Sequence, residues 1–376
     1  MKKIFVFLSI FFFIFLSMPT VHAQDEDFLK KQYEALGVDE MLDVLDDDTL
    51  ALLDDLGLNE INFESLFNVS PGKVFSLLIQ IIRGKVASPV KILVTLFSIV
   101  LLFSVCESLF PQGEKIKLAL NTACSLVSIS VLAKPIFESI TRGMSAIDMT
   151  SKVMFVFVPI FVAIISLNGN PLTAASYNSL MLLAAQTVSQ MSNYFIKPCV
   201  AIFFALGLSS SVSTEFNFRA LADEIKKIAT IVLSFIASMF FSFLSLRGGL
   251  ANASDSMGLK GVKFLLSSFI PVVGGAISEG YSSILGSLSL LKGVVGTFGI
   301  CAVALINIPI ITELLIWSLV LRLSSAVAGT VKLNSLTDMF KIIADVTTFI
   351  NVVVILNCAV LIVSTGLLFV LKGGAT

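Results

Sequence analysis

Residues 298–322 read FGICAVALINIPIITELLIWSLVLR. One acid, Glu313, is the only charge in this run before Arg322. A helix crossing the ~30 Å hydrocarbon core of a bilayer needs about 20 apolar residues, and this stretch supplies them. The rest of the chain has the same character. Of 376 residues, 56% are hydrophobic and 14% charged, with a mean hydropathy of +0.97. Soluble domains carry about 25% charged residues. The fold class expected is all-α: a polytopic helical membrane protein.

The formal net charge of −1 conceals a split. Residues 24–64 hold 14 Asp/Glu against Lys30 and Lys31, and residues 65–376 hold 21 Lys/Arg against 12 Asp/Glu. A small acidic helical head (24–70), read as extracytoplasmic, therefore precedes a basic membrane body. Asp46–Asp48 before Thr49-Leu50 are placed to cap a helix with anionic oxygens. Lys2 and Lys3, the apolar run Ile4–Leu16 and Val21-His22-Ala23 have the layout of a secretory signal peptide (1–23), cleaved after Ala23 or kept as an anchor. Residues 71–88 suit an amphipathic interfacial helix whose Lys73, Arg83 and Lys85 snorkel. Residues 89–376 form the polytopic domain.

Several chemistries are disfavoured. His22 is the only histidine and lies in the signal peptide, so the mature chain lacks Ser-His-Asp, Cys-His and His-metal chemistry. There is no P-loop motif. Cys106, Cys124, Cys199, Cys301 and Cys358 all sit in apolar stretches without C-x-x-C spacing and read as small core residues. The chain is read as a non-enzyme with no cofactor and no metal.

Ten candidate spans follow: 89–110, 118–140, 152–168, 172–195, 198–213, 228–246, 262–278, 281–297, 298–322 and 345–371. The chain also repeats at about 110 residues. Leu221–Ala229 and Leu336–Ala344 share L-x-D-x-x-K-x-I-A, with a weaker copy at Glu114–Ala119. Repeat copies run roughly 114–220 and 221–335, with a last helix at 336–372. An even number of segments separates the lysine-bearing starts, so the copies are expected to be parallel with all three starts cytoplasmic. Ten crossings would leave the C-terminus outside. Arg142, Lys152, Arg247, Lys260 and Lys263 then fall on the outer side, against the positive-inside tendency.

The second copy carries the candidate site. Residues 262–297 correspond to 152–195, and a polar break is expected at Ser278–Tyr281, as at Leu167–Pro171. Pro271, Gly274, Gly275, Glu279 and Gly280 mark a cavity or subunit interface. Gly293, Gly296 and Gly299 form a smooth strip for helix packing, within one chain or between copies in a homo-oligomer. Glu313, four residues after Pro309, joins them, because a mid-membrane charge costs at least ~2.5–3.5 kcal/mol. Glu107 and Glu138 lie near segment ends and need only reach headgroups. Trp317 is assigned an interfacial place.

The signal peptide, the acidic head with Asp54-Asp55-Leu56-Gly57 and the polytopic body resemble the stage III sporulation protein AE family of endospore-forming bacteria. So does the region Lys263-Phe264-Leu265…Phe269–Gly275 leading to Leu290-Leu291-Lys292 and Val295-Gly296. The resemblance implies a subunit of a channel or secretion-like complex joining mother cell and forespore, seated in the mother-cell membrane. It also implies partners among other stage III sporulation membrane proteins, including a separate cytoplasmic ATPase. Membrane lipid is the other partner expected, and nucleic acid is not. The alternative is a stand-alone secondary transporter for a small solute.

Overall fold

The computed structural model describes residues 38, 40–58, 69–109, 113–212, 218–269 and 274–370, and within 244–285 only the helical backbone. The signal-peptide reading and Pro271 lie outside the described residues. All regular structure among the described residues is helical. In chain order these are α1 (Glu40–Asp43), α2 (Asp47–Leu56), α3 (Pro71–Leu109), α4 (Glu114–Leu167), α5 (Pro171–Met191), α6 (Lys197–Val212), α7 (Phe218–Phe269), α8 (Gly274–Thr330) and α9 (Asn334–Val370).

Local chemistry sets the ends. Asp46 caps α2 as expected, its Oδ1 accepting from the Thr49 amide at 3.2 Å. Gly57 closes α2 at φ 79°, with the Leu58 amide donating to the Leu53 carbonyl at 2.9 Å, a left-handed cap that glycine adopts without Cβ strain. Ser70 caps α3 by accepting from the Lys73 amide at 3.3 Å, with Pro71 in the first helical position. Between α5 and α6 lies one π-helical turn, Ser192–Ile196. It absorbs the missing N–H of Pro198, so the two helices form one rod.

Two apolar cores lie end to end along the rods. The first gathers Leu53 and Leu56 of α2, Leu77 and Ile81 of α3, Phe157 and Phe161 of α4, Tyr177 of α5, Leu291 and Phe298 of α8, and Leu361 of α9. The second gathers Leu96 and Val100 of α3, Leu132 and Ile136 of α4, Phe203 of α6, Leu233 of α7, Leu314 and Trp317 of α8, and Phe340 and Phe349 of α9. Following each chain segment from one core to the other fixes its direction. Helices α3, α5–α6 and α8 run from the first core to the second, and α4 and α9 run back. Helix α7 also starts in the second core and reaches the first, where Phe240 packs. The described residues thus form six alternating rods. The acidic helices pack onto the first core and are not a free-standing head.

Helix α8 is the axle. Within its membrane-length window 89% is buried, against 11% for α7 and 17% for α3. Among the described residues, five helices are long and apolar enough to cross a membrane: Pro71–Cys106, Ala119–Leu167, Phe218–Phe243, Leu288–Thr330 and Asn334–Gly366, with Tyr194–Ser210 a shorter apolar helix. The peripheral ones turn Leu101, Leu102 and Val105 (α3) and Ile228, Ile231 and Phe235 (α7) outward, a lipid-facing surface.

Ten spans are therefore too many. The pairs 118–140 with 152–168, 172–195 with 198–213, and 281–297 with 298–322 are each one continuous rod. The break expected at Ser278–Tyr281 is absent, since α8 runs through it from Gly274. A serine, a glutamate and a single glycine each cost a helix about 1 kcal/mol at most against alanine and do not end it. Residue 88 is likewise no boundary, because α3 continues through Pro89. At ~1.5 Å per residue, α4 and α8 are about 80 Å or more long, so they extend well beyond a ~30 Å hydrocarbon core. The starts of α4, α7 and α9, which carry the lysine-bearing signatures, share one end of the bundle. The start of α3 and the last turns of α9 share the other.

A Cβ at Gly299 would stand 2.7 Å from Cδ2 and 2.9 Å from Cζ of Phe157, a fully buried ring stacked on Phe161 at 5.0 Å. A Cβ at Gly293 would meet nothing within 4 Å. Gly299→Ala is expected to destabilise by about 1–3 kcal/mol through overpacking. Gly293→Ala is expected to be neutral or to stabilise by up to ~1 kcal/mol through helix propensity. Thermal unfolding of the detergent-solubilised variants measures both, and equal shifts would contradict the assignment.

Candidate functional site: a buried polar seam

The two cores meet at Ile310, which packs against both. At their boundary, residues 307–313 of α8, 139–150 of α4, 351–357 of α9 and Lys85 of α3 form a polar seam across the bundle. Glu313 is its centre and is 4% exposed. The Ser139 hydroxyl donates to Glu313 Oε1 at 2.5 Å, and Arg142 donates to the same oxygen through Nε at 3.2 Å and through Nη2. Lys85 Nζ lies 3.2 Å from Oε2. Arg142 Nη2 also donates to Ser139 Oγ at 3.2 Å. Both cations keep exposed edges, with side chains 35% (Lys85) and 45% (Arg142) accessible. The carboxylate therefore joins three helices and two positive charges. Desolvating an ion costs several kcal/mol, and close pairing with added hydrogen bonds offsets this.

Helix approach makes the junction possible. Gly143 follows Arg142, and a Cβ there would lie 2.8 Å from Ile350 Cγ2 and 3.4 Å from Leu314 Cδ1. Absence of that atom lets α4 close on α8 and α9. Three asparagines complete the seam. Asn307 donates to Thr150 Oγ1 at 2.8 Å and to the Val303 carbonyl at 2.7 Å. Asn351 donates to the Ile311 carbonyl at 3.3 Å, and Asn357 donates to the Ile147 carbonyl at 3.4 Å. Each leaves its Oδ1 buried without a protein partner. Such oxygens are ordinarily satisfied by internal water. At its rim Lys197 Nζ pairs with Asp148 Oδ2 at 3.5 Å.

A second junction lies nearer the end where α4, α7 and α9 begin. Asp345 of α9, 9% exposed at its side chain, is met by Arg219 Nη2 at 3.2 Å, Lys226 Nζ at 3.1 Å and Arg322 Nη2 at 3.3 Å. Arg219 also pairs with Asp223 at 3.1 Å. Helices α7, α8 and α9 are tied here by one carboxylate.

The candidate residues from the sequence share a helix but not a site. Gly274, Gly275, Glu279, Gly280, Gly293, Gly296, Gly299 and Glu313 all lie on α8. Glu279 and Glu313 are 34 residues apart, about 50 Å along a straight helix. Gly299 packs inward on Phe157, and Gly293 sits in open space. Glu138 pairs only with Lys134 one turn away, at 4.0 Å. Trp317 is 2% exposed within the second core, so the interfacial place assigned to it is corrected. Its indole ring is large and apolar enough to fill the contact among α8, α9 and their neighbours. The sequence reading missed Lys85, Ser139, Arg142 and Asp345. Arg142 did carry a signal, since it violated the positive-inside tendency. It is not a loop residue at all, and its charge is answered by Glu313. Among the described residues no group of three or more His, Cys, Asp or Glu could hold a metal. The five cysteines are unpaired thiols.

These features define a multi-pass helical membrane protein braced by buried ion pairs. The family model described as Stage III sporulation protein AE matches residues 60–371, and the chain belongs to that family. The match begins after Asp54-Asp55-Leu56-Gly57, which is here the C-terminal cap of α2. Stage III sporulation protein AE of Bacillus subtilis (strain 168) is 23% identical over 242 residues, covering 63% of this chain and 60% of that relative. The chain thus spans less than two thirds of that relative's length. No solved structure matches significantly.

Glu313→Gln would leave Arg142 and Lys85 facing one another without their counter-ion, and is expected to cost about 3 kcal/mol or more. Glu138→Gln is expected to cost under ~0.5 kcal/mol. Pairing Glu313→Gln with Arg142→Gln should recover part of the loss. A double-mutant cycle on unfolding in detergent or bicelles measures the coupling, and a coupling near zero would contradict the junction.

Proposed function

We propose that this protein is the polytopic membrane subunit of a channel or secretion-like complex connecting mother cell and forespore, needed for forespore development after engulfment. The family match over residues 60–371 carries the reading. A multi-pass helical body with a braced interior supports it, since such a body suits a subunit that holds a fixed shape among partners. In this role the chain is non-catalytic and sits in the mother-cell membrane around the forespore, with its acidic helices on the extracytoplasmic side. It works beside other stage III sporulation membrane proteins, with a separate cytoplasmic ATPase supplying the energy.

Deleting the gene in its endospore-forming host tests this. Engulfment should complete, forespores should then collapse, and heat-resistant spores should fall to background. A functional fluorescent fusion should ring the forespore from the mother-cell side, and affinity purification should retrieve sporulation membrane proteins. Normal spore counts in the deletion strain would overturn the reading. Rescue of the deletion by a solute in the medium would favour a stand-alone transporter instead.

A further inference from the structure

The Asp345 junction opens onto a groove of about 250 Å³ between α7 and α9. One end holds Lys226 and Asp345, and the wall beyond is mostly apolar, with Leu233, Ala237, Phe349, Val352 and Leu356 beside Thr230, Ser234 and Thr348. The two helices run in the same direction, because Lys226 faces Asp345 and the lining advances together from 226 to 237 and from 345 to 356. The groove therefore has a charged head and an apolar tail, about 16 Å long at 1.5 Å per residue.

Charge at the head is in excess. Three cations, Arg219, Lys226 and Arg322, face two carboxylates, Asp345 and Asp223. One positive charge is left over. Asp345 is nearly covered, whereas the side chains of Lys226 and Arg322 are 41% and 56% exposed. The excess is thus presented outward. Three hydroxyl residues, Thr230, Ser234 and Thr348, interrupt the apolar wall, and two of them are engaged along their own helices: Thr230 Oγ1 donates to the Lys226 carbonyl at 2.7 Å and Thr348 Oγ1 to the Ala344 carbonyl at 2.7 Å. Outside the groove, Ile228, Ile231 and Phe235 of α7 are exposed on the lipid-facing surface, so a lipid can enter sideways. Basic pockets between membrane helices recognise anionic headgroups in this way.

We infer that the groove between α7 and α9 is a binding site for one anionic glycerophospholipid. Its phosphate lies against Lys226 and Arg322, and a stretch of one acyl chain lies along Leu233, Ala237, Phe349 and Val352. The volume admits part of a chain and not a whole lipid, so the remainder stays in the bilayer. A bound lipid would bridge α7 and α9 beyond the Lys226–Asp345 pair. The inference stands independently of the sporulation role.

The test uses the full chain purified in detergent. Retention of phosphatidylglycerol and phosphatidylcholine is measured by native mass spectrometry, with inorganic phosphate as competitor. Phosphatidylglycerol should be retained in preference by on the order of tenfold. Lys226→Gln with Arg322→Gln should abolish the preference. Val352→Trp, at a half-exposed groove position, should weaken retention of phosphatidylglycerol while leaving circular dichroism and elution volume unchanged. Equal retention of the two lipids would overturn the proposal, as would an unchanged preference in the double variant. Displacement of the lipid by millimolar phosphate would also overturn it, by showing a site for a free anion.

Discussion

One carboxylate organises the interior. Glu313 sits on the most buried helix, among Ile311 and Leu314 of the second core, where apolar side chains cover it but cannot neutralise it. There it must meet opposite charge or destabilise the bundle. Arg142, Ser139 and Lys85 meet it from two other helices. Apolar contacts alone set no register between rods about 55–85 Å long, because a slide by one helical turn replaces one aliphatic contact with another. An ion pair does set it, since a one-turn slide would strand a buried charge. A polar residue fixing helix register is the best-attested use of such groups. The Asp345 junction repeats the device between α7, α8 and α9 nearer one end. Two carboxylates on the two most buried rods thus pin the outer rods α3, α4 and α7 against them.

The bundle around these pins is built for lipid. Side chains that a soluble protein would hide, such as Leu101, Phe235 and Ile231, stand outward, while serine, threonine and asparagine are turned in. Lipid gives no hydrophobic drive to helix association, so cohesion rests on close packing and interior hydrogen bonds. Gly143 and Gly299 supply the close packing. The seam of Asn307, Asn351 and Asn357 supplies hydrogen bonds, and its unpaired carbonyl oxygens mark where water belongs.

Much of this architecture was legible in the chain. Apolar runs of spanning length fixed the class, and Asp46 announced the cap it forms. The lysine-bearing signatures located the starts of α4, α7 and α9 and placed them at one end. Punctuation was misread. Lys197-Pro198 and Ser278–Tyr281 looked like breaks, yet a π turn absorbs the proline and a lone glycine does not stop a helix held by its neighbours. Arg142 looked like a loop charge because sequence alone does not reveal a partner 171 residues away. Glu313 was recognisable by the cost of its location, but its partners were not. Asp345 was missed because it follows directly on a recognised signature and looked like part of a solvated helix start. Trp317 was misplaced by the habit of tryptophan in membrane proteins, and its neighbours in the fold decided otherwise.

The central claim is that Glu313 holds α4 and α8 in register through Arg142 inside the membrane. Solid-state NMR of the protein in lipid bilayers can measure the dipolar coupling between side-chain carboxyl carbons of glutamate and guanidinium nitrogens of arginine. Subtracting the spectrum of Glu313→Gln isolates the Glu313 contribution. The account predicts a contact of ion-pair length, within about 4 Å, that vanishes in both Glu313→Gln and Arg142→Gln. A wild-type spectrum with no Glu313-dependent contact, or one that survives Arg142→Gln unchanged, would contradict it.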